Sequence, residues 1–124
     1  MLQDRPFEDQ DAPTVYSNED GFGAWVFERA DDAVIAVTGE IDLATATLLS
    51  RAIHDASRRC RRVIIDMADT TFIDSSGLHT LVQAKRDLGP AHKTLALRSV
   101  NPNIRRAFEI TGVDQLMTLL PDPT

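Results

Sequence analysis

The spacing of apolar positions changes period several times along the chain. Residues 23–29 (GAWVFER) and 33–41 (AVIAVTGEI) are rich in β-branched and aromatic side chains, and the acidic pair Asp31-Asp32 lies between them. This predicts two strands joined as a hairpin. From Asp42 the period lengthens. Over 42–59, Leu48, Leu49, Ala52, Ile53 and Ala56 recur at three- and four-residue intervals, which predicts a helix with Asp42 as its N-cap. Residues 62–67 (RVIIDM) form a short apolar run suited to a buried strand, and a turn is expected over Ala68–Thr71. A second helix is predicted over 78–88, with Leu78, Leu81 and Val82 on one side and Gly89-Pro90 as its stop. Residues 93–100 read as a strand. Residues 101–112 read as a third helix, capped by Asn101, started by Pro102 and ended by Gly112, with Ile104, Ala107, Phe108 and Thr111 on its inner face. Residues 116–120 (LMTLL) add a last short strand.

The predicted order is β-β-α-β-α-β-α-β, an α/β domain whose mainly parallel, mixed sheet has helices packed on it. In such sheets functional groups collect beyond the carboxyl ends of strands. Here those ends are Gly39-Glu40-Ile41-Asp42 and the stretch Ala68–Ser76, and both carry aspartate.

Length and composition add limits. The 124 residues suffice for one core, and 43% apolar content is ordinary for a globular chain. No run of about 18 apolar residues offers a membrane helix, and the acidic, polar start does not read as a secretory signal. The net charge of −6 is concentrated at one end: residues 1–20 hold six acids against Arg5 alone, which is −5 and leaves −1 for the rest. We therefore expect residues 1–20 to be a disordered acidic extension, 21–120 the folded domain and 121–124 a tail. The basic run RRCRR (58–62) is read as a helix end, where cations suit the dipole, and not as a nucleic-acid contact. Cys60, the single cysteine, is read as a packing residue of a cytoplasmic protein. His54, His79 and His92 show no zinc-site spacing, and no nucleotide-binding glycine motif or nucleophile elbow is present. Neither a metal nor another cofactor is implied.

One stretch stands out. Residues 72–79 read FIDSSGLH, a carboxylate and two hydroxyls at the mouth of a predicted helix. Asp74, Ser75 and Ser76 could cap that helix. A small serine hydrolase is another reading, because Asp74, Ser75 and His79 lie within six residues and Ser75 and His79 are i,i+4. It would also need an oxyanion hole and a third group to orient the imidazole, and Asp74 lies on the wrong side of the serine to support His79 easily. The third reading is phosphorylation. A helix N-terminus tolerates added negative charge through its free N–H groups and its dipole, so a phosphoserine there need not unfold the domain.

The same residues carry a family resemblance. FIDSSGL (72–78) resembles the phosphorylation motif of STAS-domain proteins, in particular the bacterial anti-sigma factor antagonists. VTGEIDLATA (37–46) resembles the family's other loop motif, and NPNIRRAFEITGVDQLMTL (101–119) its third helix and the segment after it. The likeness runs from about Trp25 to Leu119. It implies a STAS-like single domain and no catalytic residues of its own. It also implies that Ser75 is the phosphate acceptor, with Gly39, Glu40, Asp42, Asp74, Ser76, Gly77 and Leu78 on the partner-binding surface. Implied partners are an anti-sigma factor that is itself a serine kinase resembling the histidine-kinase ATPase fold, and a PP2C-type phosphatase. Binding to the first would release a sigma factor, with no direct nucleic-acid or membrane contact. The oligomeric state is left open between a monomer and a weak dimer. The alternative within the resemblance is an adaptor subunit of a stressosome-type scaffold or a lipid transporter.

Overall fold

The computed structural model of the protein describes residues 12–121. Six strands form one sheet in sequential order: β1 (Thr14–Ser17), β2 (Gly23–Arg29), β3 (Asp32–Ile41), β4 (Arg62–Ile73), β5 (Thr94–Arg98) and β6 (Thr118–Leu119). The first three are antiparallel neighbours, and β3 to β6 are parallel. The parallel strands are joined through α1 (Leu43–Ser57), α2 (Ser75–Leu88) and α3 (Pro102–Thr111). Right-handed crossovers between strands that advance in one direction place every helix on the same side of a sheet. A single buried cluster accordingly joins Leu49 and Ile53 of α1, Leu81 of α2 and Phe108 of α3 to Ile35, Val63, Ile65 and Leu97 of the strands. The alternation in β2 shows the division: Ala24 and Val26 are buried, whereas Trp25 and Phe27 are exposed on the other face of the sheet.

The β2–β3 hairpin exists, but its turn is Ala30-Asp31, with Ala30 at φ 55°, and Asp32 already pairs with Arg29. Acids at this hairpin answer the basic run 58–62. Arg59 pairs with Glu28 at 2.6 Å, Arg61 with Asp31 at 3.6 Å, and Arg62 with Asp32. Cys60 is buried among them, and burial pushes its thiol above the ordinary range. In α3, Ile104 and Phe108 are buried as expected. Thr111 is exposed and its hydroxyl donates back to the Ala107 carbonyl at 2.7 Å, a common use of threonine on a helix.

Two expectations are corrected. The first is the turn over Ala68–Thr71, where β4 instead continues unbroken to Ile73. Its pairing with β3 steps from Ala36↔Asp66 to Thr38↔Asp69 and from Gly39↔Thr70 to Glu40↔Phe72. Each step inserts one extra residue into β4. Such bulges bend a strand and shift its side-chain phase. Buried positions therefore fall three apart, at Met67, Thr70 and Ile73, and a search for period two misses them.

The second correction concerns the start of the fold. Thr14–Ser17 lies inside the segment expected to be disordered, yet it pairs with β2 from Thr14↔Val26 to Ser17↔Gly23. Its Tyr16 hydroxyl donates to Asp55 Oδ2 of α1 at 2.7 Å, which fastens the edge strand to the helix layer. The ordered chain begins upstream of Gly21. The expected disorder of residues 1–11 lies outside the described residues, as do residues 122–124 of the tail.

Deleting residues 1–20 removes β1 and is expected to lower stability. A finer test is Tyr16→Phe, which should cost about 1 kcal/mol in a urea titration at pH 7. Burial first, and then the Asp55 carboxylate, hold the Tyr16 phenol above its ordinary value. The neutral phenol is the form the fold prefers. Its contribution is thus full below the ordinary value of about 10 and is lost as pH rises through the raised one.

A second test concerns α2. A Cβ on Gly77 would lie 2.6 Å from Ile73 Cγ1, 2.7 Å from Ile41 Cγ2 and 3.0 Å from the Ile41 carbonyl oxygen. Overpacking of this kind costs about 1–3 kcal/mol, whereas the helix-propensity gain of alanine over glycine is at most about 1 kcal/mol. Gly77→Ala should therefore be destabilised on balance. Stability equal to the parent would show that the helix can lift off the strand ends freely.

Candidate functional site

The strands β3 and β4 end together, with Ile41 paired to Ile73. Each is followed at once by an aspartate that caps the next helix. Asp42 accepts from the Thr45 N–H at 3.0 Å, and the Thr45 hydroxyl accepts from the Asp42 N–H at 2.9 Å, a reciprocal capping box. That hydroxyl also donates to the Glu40 carbonyl at 2.8 Å. Asp74 accepts from the Gly77 N–H at 3.1 Å. The two caps are joined through the backbone, where the Asp74 N–H donates to the Ile41 carbonyl at 3.0 Å. The N-termini of α1 and α2 therefore emerge side by side, and their dipoles add positive potential to one patch of surface.

The residues singled out in the sequence divide into two groups. Glu40 and Ser75 are exposed, and Ser76 is half-buried at the same rim. Gly39 sits beneath at φ +88°, where a Cβ would meet the Gly21 carbonyl oxygen at 2.7 Å. Asp42 and Asp74 are half-buried and engaged in capping. Gly77 and Leu78 differ from the expectation. Both are buried, Leu78 at 8% exposure, so they seat the helix and offer no surface for contact. The first turn of a helix that docks on strand ends must face inward somewhere, and these two residues occupy that side.

Two rim residues escaped the sequence reading. Leu43 is 77% exposed and Phe72 is 48% exposed, both beside the caps. Periodicity disguises them: Leu43 stands three residues before the buried Ala46, and Phe72 adjoins the buried Ile73. The sheet ends at Ile41 and Ile73, so Leu43 has no strand beneath it. The bulged phase of β4 turns Phe72 outward.

Between α1 and α2 runs a groove that starts at this rim and is lined by Leu43, Arg51, Ser75, Ser76 and His79 among others. Among the described residues the Ser75 and Ser76 hydroxyls make no hydrogen bond, and none joins Ser75 to His79. Asp74 is already committed to Gly77, so the serine, histidine and aspartate do not assemble as a hydrolytic triad here. No cluster of His, Cys, Asp or Glu among the described residues is arranged to hold a metal, and no helix there is long and apolar enough to cross a membrane.

Comparison with known proteins agrees with this architecture. A family model of the STAS domain matches residues 24–123. The anti-sigma-B factor antagonist of Listeria monocytogenes is 32% identical over 94 residues, 74% of this chain and 82% of that protein. The crystal structure of an anti-sigma factor antagonist from Mycobacterium paratuberculosis superposes with a TM-score of 0.73 and 29% identity, covering 87% of this chain and 91% of the other. The phosphorylated form of the Bacillus cell fate determinant SpoIIAA shares the fold at a TM-score of 0.63 and 22% identity, over 82% of this chain and 91% of that one. With two capped helices set on paired strand ends and a family match spanning most of its length, the chain is a member of the STAS domain family, among the anti-sigma factor antagonists.

Proposed function

We propose that the protein is a cytoplasmic partner switch. Its unmodified form binds an anti-sigma factor through the rim around Ser75 and so frees a sigma factor. The anti-sigma factor is a serine kinase that phosphorylates Ser75 and ends the complex, and a PP2C-type phosphatase restores it. The protein is the substrate of this chemistry and not its catalyst. The observation that carries the reading is the uncommitted, exposed Ser75 hydroxyl in the first turn of α2. Its neighbour Asp74 already meets the capping requirement, so Ser75 is spare for the fold. Exposed Leu43 and Phe72 beside it supply apolar area of the kind that anchors a protein partner. Glu40, Ser76 and the backbone at Gly39 complete the rim.

Phosphorylation adds roughly 1.5 to 2 negative charges. The free domain tolerates them at a helix N-terminus. In a complex they would be desolvated against a surface shaped for a neutral hydroxyl. An uncompensated buried charge costs about 3–5 kcal/mol, which at about 1.4 kcal/mol per decade is roughly two to four orders of magnitude in affinity.

A pull-down from the native cell, followed by mass spectrometry, identifies the partner. Recovery of transporter subunits in place of a kinase would replace this reading with the adaptor one. With the kinase in hand, phosphopeptide mapping should show modification lost in Ser75→Ala and kept in Ser76→Ala. Calorimetry should then show Ser75→Ala binding constitutively and the phosphorylated protein weakened by the amount above, with circular dichroism unchanged. Equal affinity of both forms would end the proposal, because a modification that does not discriminate between states shifts no equilibrium.

A further inference from the structure

Beyond the switch itself, and resting on Ser75 as its acceptor, we propose that the domain carries its own receptor for the phosphate: Arg51 of α1 and His79 of α2 close on phosphoserine 75 across the inter-helix groove. Both line the groove together with Ser75. His79 stands four residues after Ser75 on α2, the spacing at which side chains on a helix meet. Arg51 projects into the same groove from the facing helix. Both are exposed, and among the described residues neither makes an ion pair or a side-chain hydrogen bond.

This lack of partners contrasts with the basic side chains around the end of α1. Arg58 lies 3.9 Å from Asp55, Arg59 and Arg61 pair with hairpin acids, and His54 bonds to Asp87 at 3.2 Å. The acids around the groove are engaged too. Asp55 accepts from Tyr16, Asp42 from Thr45 and Asp74 from Gly77. Among the residues that line the groove Asp55 is the one carboxylate, so the unmodified groove presents a guanidinium and an imidazole with no unbonded carboxylate in its lining.

A phosphate on Ser75 supplies that anion. Its roughly −1.5 to −2 charge would face one full positive charge on Arg51, a second on His79 when protonated, and about half a charge from the helix dipole. The planar guanidinium can take two phosphate oxygens at once. The phosphate would then fold back along the groove and hold the α1–α2 rim in a closed form. The phosphorylated domain would then keep its fold while presenting a different surface.

The test uses the full chain with phosphoserine encoded at position 75 during translation, so no kinase is needed. Phosphorus NMR follows the second ionisation of the phosphate with pH. Nearby cations favour the dianion, so Arg51→Ala and His79→Ala should each move that titration upward by about half a pH unit or more. Arg58→Ala, at the C-cap of the same helix and outside the groove, should leave it in place. Curves for Arg51→Ala and His79→Ala that superimpose on the parent, or an equal displacement in Arg58→Ala, would overturn the receptor. Circular dichroism of each variant checks the fold, and Arg51→Lys, which keeps the charge, should restore most of the parental curve. A failed receptor would leave Ser75 free to be the acceptor, and a failed acceptor assignment would leave this titration equally decisive about the groove.

Discussion

The parallel pairing of β3 and β4 ends at Ile41 and Ile73, and one backbone hydrogen bond, from the Asp74 N–H to the Ile41 carbonyl, carries that alignment past the sheet. Were the strands staggered by a residue, the two aspartates would no longer stand abreast, and a one-residue slip would also invert which side chains face the core. The alignment sets the spacing between the first turns of α1 and α2, and with it the rim and the groove between them. Gly77 belongs to the same constraint. Only a residue without a side chain lets α2 approach Ile41 and Ile73 so closely.

Much of this was legible because the signals are local. Asp42 and Asn101 cap as their position before an apolar-periodic run suggests, Pro102 opens α3, and Gly112 takes the left-handed conformation at φ 80°. The features that were not legible depend on partners distant in sequence. Residues 68–73 look polar and aperiodic because two bulges change the phase of β4, and a bulge exists only relative to the neighbouring strand. The strand Thr14–Ser17 is four residues long and lies among acids that dominate any average over the first twenty positions. What fixes it is β2 alongside and Asp55 on a helix 39 residues away. At the site, the motif marked Asp74 and Ser75, but it did not separate surface from interior. Gly77 and Leu78 belong to the same seven-residue stretch as Ser75 and are buried, while Phe72 is not.

Charge has a secondary part in holding the fold. Arg59, Arg61 and Arg62 meet acids around the β2–β3 hairpin, but these pairs are substantially exposed, and exposed pairs contribute about 0–1 kcal/mol each. The apolar cluster buried between sheet and helices stabilises the fold far more. Neutralising the basic run has a different result: cations that would otherwise attract phosphates are occupied by the protein's own carboxylates.

The separation between residues that build the two helix starts and residues that stand on their rim bears on how such a protein can diverge. Asp42, Thr45, Asp74, Gly77 and Leu78 hold the backbone, and changing any of them costs stability. Glu40, Leu43, Phe72 and Ser75 hold nothing in place, and exposed positions of this sort tolerate substitution within about ±0.5 kcal/mol. A duplicated copy of the gene could therefore alter the rim step by step and remain folded at every step. Related domains in one cell could drift apart in the surface they present, while the scaffold beneath them stays the same.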